Sequence, residues 1–378
     1  MNRINEMIRE FCPNGIKTVP LWKYTAWDKK FNAVDNSMQK SIIKYKYLLA
    51  NKLNEIVDNT GDIRILYTSE EVAYTTEEKA GEFISQGEIV AIPWGGNPNV
   101  KYYNGRFVTG DNRIATSIAP KILDTKFLYY VLLNKLDIIN TFYRGAGIKH
   151  PSMFSVLTLE IPLPPLNIQK EIVSILDSFT SLIDKMKQEV EMRKKQMEYY
   201  LNILICKDNV AARLFGDIGV VQRGKRVVRK ELALQGCIPV FQNSLTPLGY
   251  YQYSNIPANN TFIISAGTAG EIGFSAKPFW AADDCLVISS VLCDSKYLYY
   301  YLKTQEQFLK SQIRGGAMKR LSRETIEKLE IPVPSLEKQR QIASILDSFE
   351  TYISKLEKMI ELRQKQYEYY REKLLTFE

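Results

Sequence analysis

One histidine in 378 residues, His150, leaves little room for imidazole chemistry. A catalytic or zinc role would need partners that are absent around its Gly-rich basic turn. His150 reads instead as a loop donor to phosphate or as a solvent-exposed side chain. The cysteines, Cys12, Cys206, Cys237, Cys285 and Cys293, are odd in number and never form CxxC. That argues against a structural zinc clamp and fits a reduced, cytoplasmic protein. No segment approaches the ~20 apolar residues of a membrane span, and MNRINEMIREF lacks the apolar run of a signal peptide. A phosphate loop is also missing. Gly219-x4-Gly224-Lys225 is followed by Arg226, where Ser or Thr would hold magnesium, and Val227 and Val228 do not open a helix. Asn97-Pro98-Asn99-Val100 lacks the second proline and the aromatic of an amino-methyltransferase motif. Asp283-Asp284 has no Glu-x-Lys partner and reads as a turn. No catalytic residue, metal or cofactor is expected.

What is present is a repeat. Residues 159–205 and 329–375 align without a gap, about half the positions identical, at a constant offset of 170 residues. ILDSF occurs at 175–179 and again at 345–349. An internal repeat fixes the architecture before any other reading. Each copy opens on a proline stop, Pro162 and Pro164 or Pro332 and Pro334, where backbone is extended. Helical spacing follows: Ile168, Ile172, Ile175, Phe179, Ile183, Met186, Val190, Met197, Leu201 and Leu204 in the first copy. In the second it is Ile342, Ile345, Phe349, Ile353, Leu356, Ile360, Tyr367, Tyr370 and Leu374. Each helix should run roughly 35–40 residues, about 50–60 Å. Two such seams bury their stripes most simply as an antiparallel pair. The stripe itself is a core seam.

The repeat extends into the flanking segments. KFLYY at 126–130 matches KYLYY at 296–300, and Arg144-Gly145-Ala146-Gly147 with Lys149 matches Arg314-Gly315-Gly316-Ala317 with Lys319. Residues 87–93 and 260–266 are both β-rich, and 17–22 and 209–215 read as equivalent opening strands. Further strands are expected at 63–68, 238–241 and 286–290, and short helices at 126–140 and 297–311. Residues 36–57 carry helical spacing in Ile42, Ile43, Tyr47, Leu48 and Leu53. The organisation is therefore α+β: domains at 1–158 and 206–328, long helices at 159–205 and 329–378.

Net charge is +8 with pI about 9.0, a weak pointer to a polyanionic partner. The stronger signal is the recurrence of basic, amide and aromatic residues in loops. The first unit offers Trp94, Asn97, Asn99, Lys101, Tyr102, Tyr103, Arg106, Arg113, Arg144, Lys149 and His150. The second offers Arg223, Lys225, Arg226, Arg229, Lys230, Gln242, Asn243, Ser244, Arg314, Lys319 and Arg320. Arg and Lys neutralise phosphates, and Arg, Asn and Gln read purine edges. Taken singly, each is equally a solvated surface residue. The case rests on both units carrying a comparable set.

The order of these pieces resembles the DNA specificity subunit of type I restriction–modification systems. The carrying residues are Arg144-Gly145 or Arg314-Gly315 with Lys149 or Lys319, then Leu159-Glu160-Ile161-Pro162, Pro164, Leu166, Gln169 and the ILDSF helix, given twice. The resemblance implies two target-recognition domains, each reading half of a bipartite, asymmetric double-stranded DNA site. It implies an antiparallel intramolecular coiled coil that spaces them and docks methyltransferase subunits, with nuclease-translocase subunits joining that core. It also implies that the subunit has no catalysis of its own. A ~50 Å separator would place the half-sites roughly one to one and a half helical turns apart. Lys185, Arg193, Lys195, Gln196, Lys355, Arg363, Lys365 and Gln366 are candidate docking residues or solvated flanks. The competing readings are a standalone DNA-processing enzyme and a coiled-coil protein-interaction adaptor.

Overall fold

The computed structural model describes residues 2–206, 210–313 and 320–377. Two compact units divide the chain, 1–185 with 361–378, and 186–360.

The first unit opens with helix α1 (Asn2–Phe11), strand β1 (Thr18–Pro20) and β2 (Thr25–Trp27). It continues through α2 (Ala50–Glu55), β3 (Ile63–Leu66), β4 (Val72–Thr75), α3 (Glu77–Ala80), β5 (Ser85–Pro93), β6 (Lys101–Thr109) and β7 (Asn112–Ser117). Helices α4 (Thr125–Asn134) and α5 (Leu136–Thr141), hairpin β8 (Tyr143–Arg144) and β9 (His150–Pro151), α6 (Met153–Leu157) and β10 (Glu160–Pro162) lead to the long α7 (Leu166–Cys206). One six-stranded sheet runs β2-β7-β5-β6-β3-β4, antiparallel except for the β3–β6 pair. Ile63, Ile65 and Val108 fill one core cluster, and Ile89, Phe107 and Ile114 another.

The second unit repeats this plan. Its elements are β11 (Ala212–Leu214), α8 (Phe215–Ile218), β12 (Gly219–Arg223), β13 (Ile238–Phe241), β14 (Gly249–Tyr251), β15 (Asn260–Ile264), β16 (Ile272–Ser275), β17 (Trp280–Ala281) and β18 (Cys285–Ser290). Then come α9 (Ser295–Thr304), α10 (Glu306–Ser311), α11 (Arg323–Glu327), β19 (Glu330–Pro332) and the long α12 (Leu336–Leu375), whose residues from 361 on belong to the first unit, as those of α7 from 186 on belong to the second. The order β12-β18-β15-β16 reproduces β2-β7-β5-β6, and β14-β13-β17 reproduces β4-β3 on the far end of β6, parallel pair included. Pro278, with no N–H to give the ladder, stands where the β6 equivalent breaks into β16 and β17. The opening strands also match: β1 pairs with β10, and β11 with β19.

Each unit ties its domain to a long helix by the same polar contacts. Lys126 Nζ and the Tyr130 hydroxyl both donate to Asp177, at 2.7 and 2.6 Å. Lys296 Nζ and the Tyr300 hydroxyl meet Asp347 at 2.9 and 2.7 Å. KFLYY, KYLYY and the aspartate of ILDSF are therefore one contact made twice. Within each unit the segments of the two long helices run antiparallel. In the first unit Phe179 stacks on Tyr370 at 5.4 Å, and in the second Phe349 packs on Tyr200 at 5.5 Å, the same pair with the helices exchanged. Met186, Val190, Ile353 and Leu356 form a seam within the second unit.

Two expectations are corrected. Ile175 is only half-buried and Ile345 is 43% exposed, while Leu176 and Leu346 are fully buried. The stripe steps by four from Ile172 and Ile342, and each buried leucine contributes about 1.5–3 kcal/mol. Residues 36–57 form only a 3-10 turn at Asn36–Met38 and the short α2. Ile42 bridges to Trp27 and Tyr47 to Thr109, so edge strand β2 and the end of β6 supply partners that a helix would have supplied. The buried Gln39 amide fixes the loop, accepting from Phe31 N–H and donating to the carbonyls of Phe31 and Val34. Among the described residues no helix is long and apolar enough to cross a membrane.

Candidate nucleic-acid interface

In the first unit the ends of β5 and β7 and the β8–β9 hairpin converge on Trp94. Its N–H donates to Asp111 O at 2.9 Å, and the Tyr143 hydroxyl donates to Pro93 O at 2.7 Å. Gly96 N–H donates to Lys149 O at 3.1 Å, which lays the hairpin along the loop after β5. Gly145 has φ +143°, and a Cβ there would sit 2.8 Å from Ile148 O, so this turn needs glycine. The Trp94 ring has Arg113 at 4.6 Å, Lys29 at 5.2 Å and the His150 ring at 5.2 Å. His150 Nδ1 lies 2.7 Å from Trp94 O. Arg144, Lys149 and His150 are exposed, and Arg144 and Lys149 form no ion pair among the described residues. Exposed Asn97 belongs to the same tip, beside a cavity of about 560 Å³ lined by Thr68, Ser69, Glu70 and Gly95 through Asn99.

The remaining residues of the first set point elsewhere. Arg113 is only 2% exposed and is held between Asp28, at 2.6 Å, and Asp111. Buried this way it supports Trp94 from behind and has no free face for a phosphate. Burial holds the Asp28 carboxyl above the usual carboxylate range, against the pull of Arg113. Asn99 is buried, donating to Thr68 O at 2.8 Å. Lys101 donates to Thr68 O and to Asn99 Oδ1, and burial pulls its ammonium down to about 8. The Tyr102 hydroxyl donates to Glu88 at 2.8 Å, and burial raises that phenol. Tyr103 packs edge-on against Phe107, and Arg106 pairs with Glu77 at 2.6 Å. The tip therefore gathers Trp94, Asn97, Arg144, Lys149 and His150, with Lys29 as an addition. Lys29 sits 65 positions before Trp94, and its only sequence signal is the WDKK run.

The second unit builds its tip at the equivalent place. Ser265 N–H donates to Asp284 O at 2.7 Å, as Trp94 does to Asp111. Leu321 N–H donates to Ser265 O at 2.8 Å, and Arg320 bridges to Ala266 and pairs with Asp284 at 3.3 Å. Arg320 stands at the repeat position of His150. Gln242 Nε2 donates to Asp283 at 3.5 Å, and Arg223 Nε to Asp283 O at 2.8 Å. The Asp283-Asp284 turn is thus a junction of hydrogen bonds. Asn243 O accepts from Thr268 N–H at 2.9 Å, and Ser244 Oγ donates to Thr246 O. Lys225, Arg226, Arg229 and Lys230 are exposed on the loop after β12, and Lys225 O accepts from Trp280 Nε1 at 2.8 Å. That loop follows β12 and opens no helix at Arg226. Arg314 and Lys319 lie outside the described residues.

On the long helices Lys185, Lys195, Lys355 and Lys365 are exposed, and Lys365 pairs with Glu361 at 2.6 Å. Arg193 and Arg363 are half-buried and donate to Gln196 and Gln366 at 2.9 and 2.6 Å, one contact in two copies. Exposed apolar side chains recur at the same offset: Leu182 and Tyr352, Met192 and Leu362, Tyr199 and Tyr369.

Comparison with known proteins adds an independent line. The family described as type I restriction modification DNA specificity domain matches the chain twice, over residues 30–192 and 208–364. A putative type I restriction enzyme specificity subunit of Haemophilus influenzae is 30% identical, over 78% of this chain and 84% of its own length. The specificity subunit of the type I restriction enzyme EcoR124I/EcoR124II of Escherichia coli is 29% identical, over 60% of this chain and 65% of its own. The crystal structure of the S subunit of a type I restriction-modification system from M. genitalium shares the fold, with TM-score 0.72 at 18% identity. It covers 95% of this chain and 96% of the other.

Proposed function

The chain belongs to the type I restriction modification DNA specificity domain family, and from that membership we propose that it is the DNA sequence-recognition subunit of a type I restriction–modification complex. Residues 1–158 and 206–328 serve as two target-recognition domains, each reading half of a bipartite, asymmetric double-stranded site. The helices at 159–205 and 329–378 set the spacing. Their exposed lysines and recurring apolar side chains dock methyltransferase subunits, through which nuclease-translocase subunits join. The assembly works in the cytoplasm, and the subunit supplies no catalysis and carries no cofactor.

One observation carries this reading. The two units share strand order and fastening contacts, yet hold different side chains at the same place, Trp94 and His150 against Ser265 and Arg320. A shared frame with unlike tips suits two readers of unlike half-sites. Phosphate contact makes log affinity fall with log salt, by about 0.9 per phosphate on duplex DNA. The chain assembled with its methyltransferase partner should therefore bind duplex DNA with a slope of about −4 or steeper, as measured by titration at several salt concentrations. A flat dependence would leave the adaptor reading. Product formed from DNA by the purified chain alone, with magnesium or a methyl donor, would leave the enzyme reading.

A further inference from the structure

We infer that His150 reads a base in the first half-site as a hydrogen-bond acceptor, selecting an exocyclic amine, adenine N6 or cytosine N4. The inference rests on the DNA-recognition role proposed above. It starts from one contact, His150 Nδ1 at 2.7 Å from the Trp94 carbonyl oxygen. A carbonyl oxygen only accepts, so Nδ1 must carry the proton. The neutral ring has one N–H, which leaves Nε2 with a bare lone pair on the opposite side of the ring. A second hydrogen bond fixing the tautomer in this way is how a histidine's free nitrogen acquires a defined role.

The ring is also held in place. It packs on the Trp94 indole at 5.2 Å, and a Cβ on Gly95 would come within 3.2 Å of His150 Cε1, so glycine there permits the approach. Arg144 is paired with His150 across the hairpin, and Lys149 precedes it in the chain. Lys29 and Arg113 approach the same indole, at 5.2 and 4.6 Å from its centre. Arg144, Lys149 and Lys29 are donors only, suited to phosphate oxygens or guanine, while Arg113 is spent on Asp28 and Asp111 beneath the ring. A fixed acceptor among donors discriminates where the donors cannot. In the second unit the same repeat position is Arg320, a donor held by Asp284. The two tips therefore offer opposite hydrogen-bond polarity at one equivalent place.

The test selects methylated sequences from a randomised duplex library, using the chain assembled with its methyltransferase partner. The wild type should require A or C at one position of the first half-site. His150→Ala should lose roughly tenfold discrimination at that position alone, with the second half-site and the salt slope unchanged. His150→Gln, which keeps an acceptor, should retain the preference, and His150→Lys should turn it toward G. An unchanged motif in His150→Ala, or a salt slope shallower by about one, would overturn the inference and make His150 a bystander or a phosphate contact. A wild type that selects no bipartite motif would instead overturn the recognition role itself.

Discussion

Replacing Arg113 by alanine should destabilise the first unit by about 3–5 kcal/mol, because it leaves a buried carboxylate without its partner. The Arg113 side chain is 3% exposed and that of Asp28 12%. Asp28 also accepts from Ile114 N–H at 3.0 Å, so it cannot turn out to solvent without breaking the edge where β2 meets β7. The pH dependence gives a second check. Burial already raises the Asp28 pKa, and removing Arg113 takes away the main opposing effect. A carboxyl with a raised pKa in the folded state binds a proton there before it does in the unfolded chain, so stability rises as pH falls through the folded pKa. The deficit of Arg113→Ala should therefore shrink between neutral pH and the usual carboxylate range. The double variant Arg113→Met with Asp28→Asn should recover part of the loss even at neutral pH. Urea unfolding monitored at Trp94 and Trp27 measures both. A loss under about 1 kcal/mol would mean that the pair is a surface contact.

Comparable in size is the effect of removing either of two buried glutamines. Gln169 and Gln339, both 0% exposed, stand at the same repeat position at the start of the long helices. Gln169 accepts from Asp124 N–H at 2.9 Å and donates to Ile122 O and Pro164 O, each at 2.7 Å. Gln339 accepts from Asp294 N–H at 2.7 Å and donates to Leu292 O at 3.0 Å and Pro334 O at 2.8 Å. The two aspartates cap α4 and α9, so each amide joins a domain helix to a long helix. Alanine at 169 leaves one N–H and two carbonyls unpaired, costing about 3 kcal/mol or more, roughly 6–12 °C in unfolding midpoint. Glutamate should be no better, since it accepts from Asp124 but cannot donate to the two carbonyls. Hydrogen exchange should show α4 loosened and α9 unchanged in Gln169→Ala, and the reverse in Gln339→Ala. Equal loosening of both helices in either variant would contradict this local role.

Much of the frame is legible in the sequence because repetition and periodicity are local properties. Forty residues without Gly or Pro after a proline stop leave little choice but helix, and the constant offset pairs KFLYY with KYLYY. What escapes is decided by distant partners. Ile345 and Leu346 are adjacent and both apolar, so only the packing around α12 selects the leucine. The spacing of Ile42, Ile43 and Tyr47 fits a helix, but bridges from Trp27 and Thr109 claim that backbone. At the tips, Gly-rich turns mark Arg144, Lys149 and His150 as exposed. Arg113 looks like another basic loop residue until Asp28, 85 positions away, is placed against it. Gln169 carries the family pattern, yet its partner Asp124 lies 45 residues upstream.

Two unlike readers on one repeated frame, as proposed above, should act independently. The most direct test of that independence exchanges residues 1–158 for the corresponding segment of another family member and determines the motif methylated by the assembled complex. The expected result is one changed half-site, with the other half-site and the spacer length retained. A motif altered in both halves, or in neither, would contradict it.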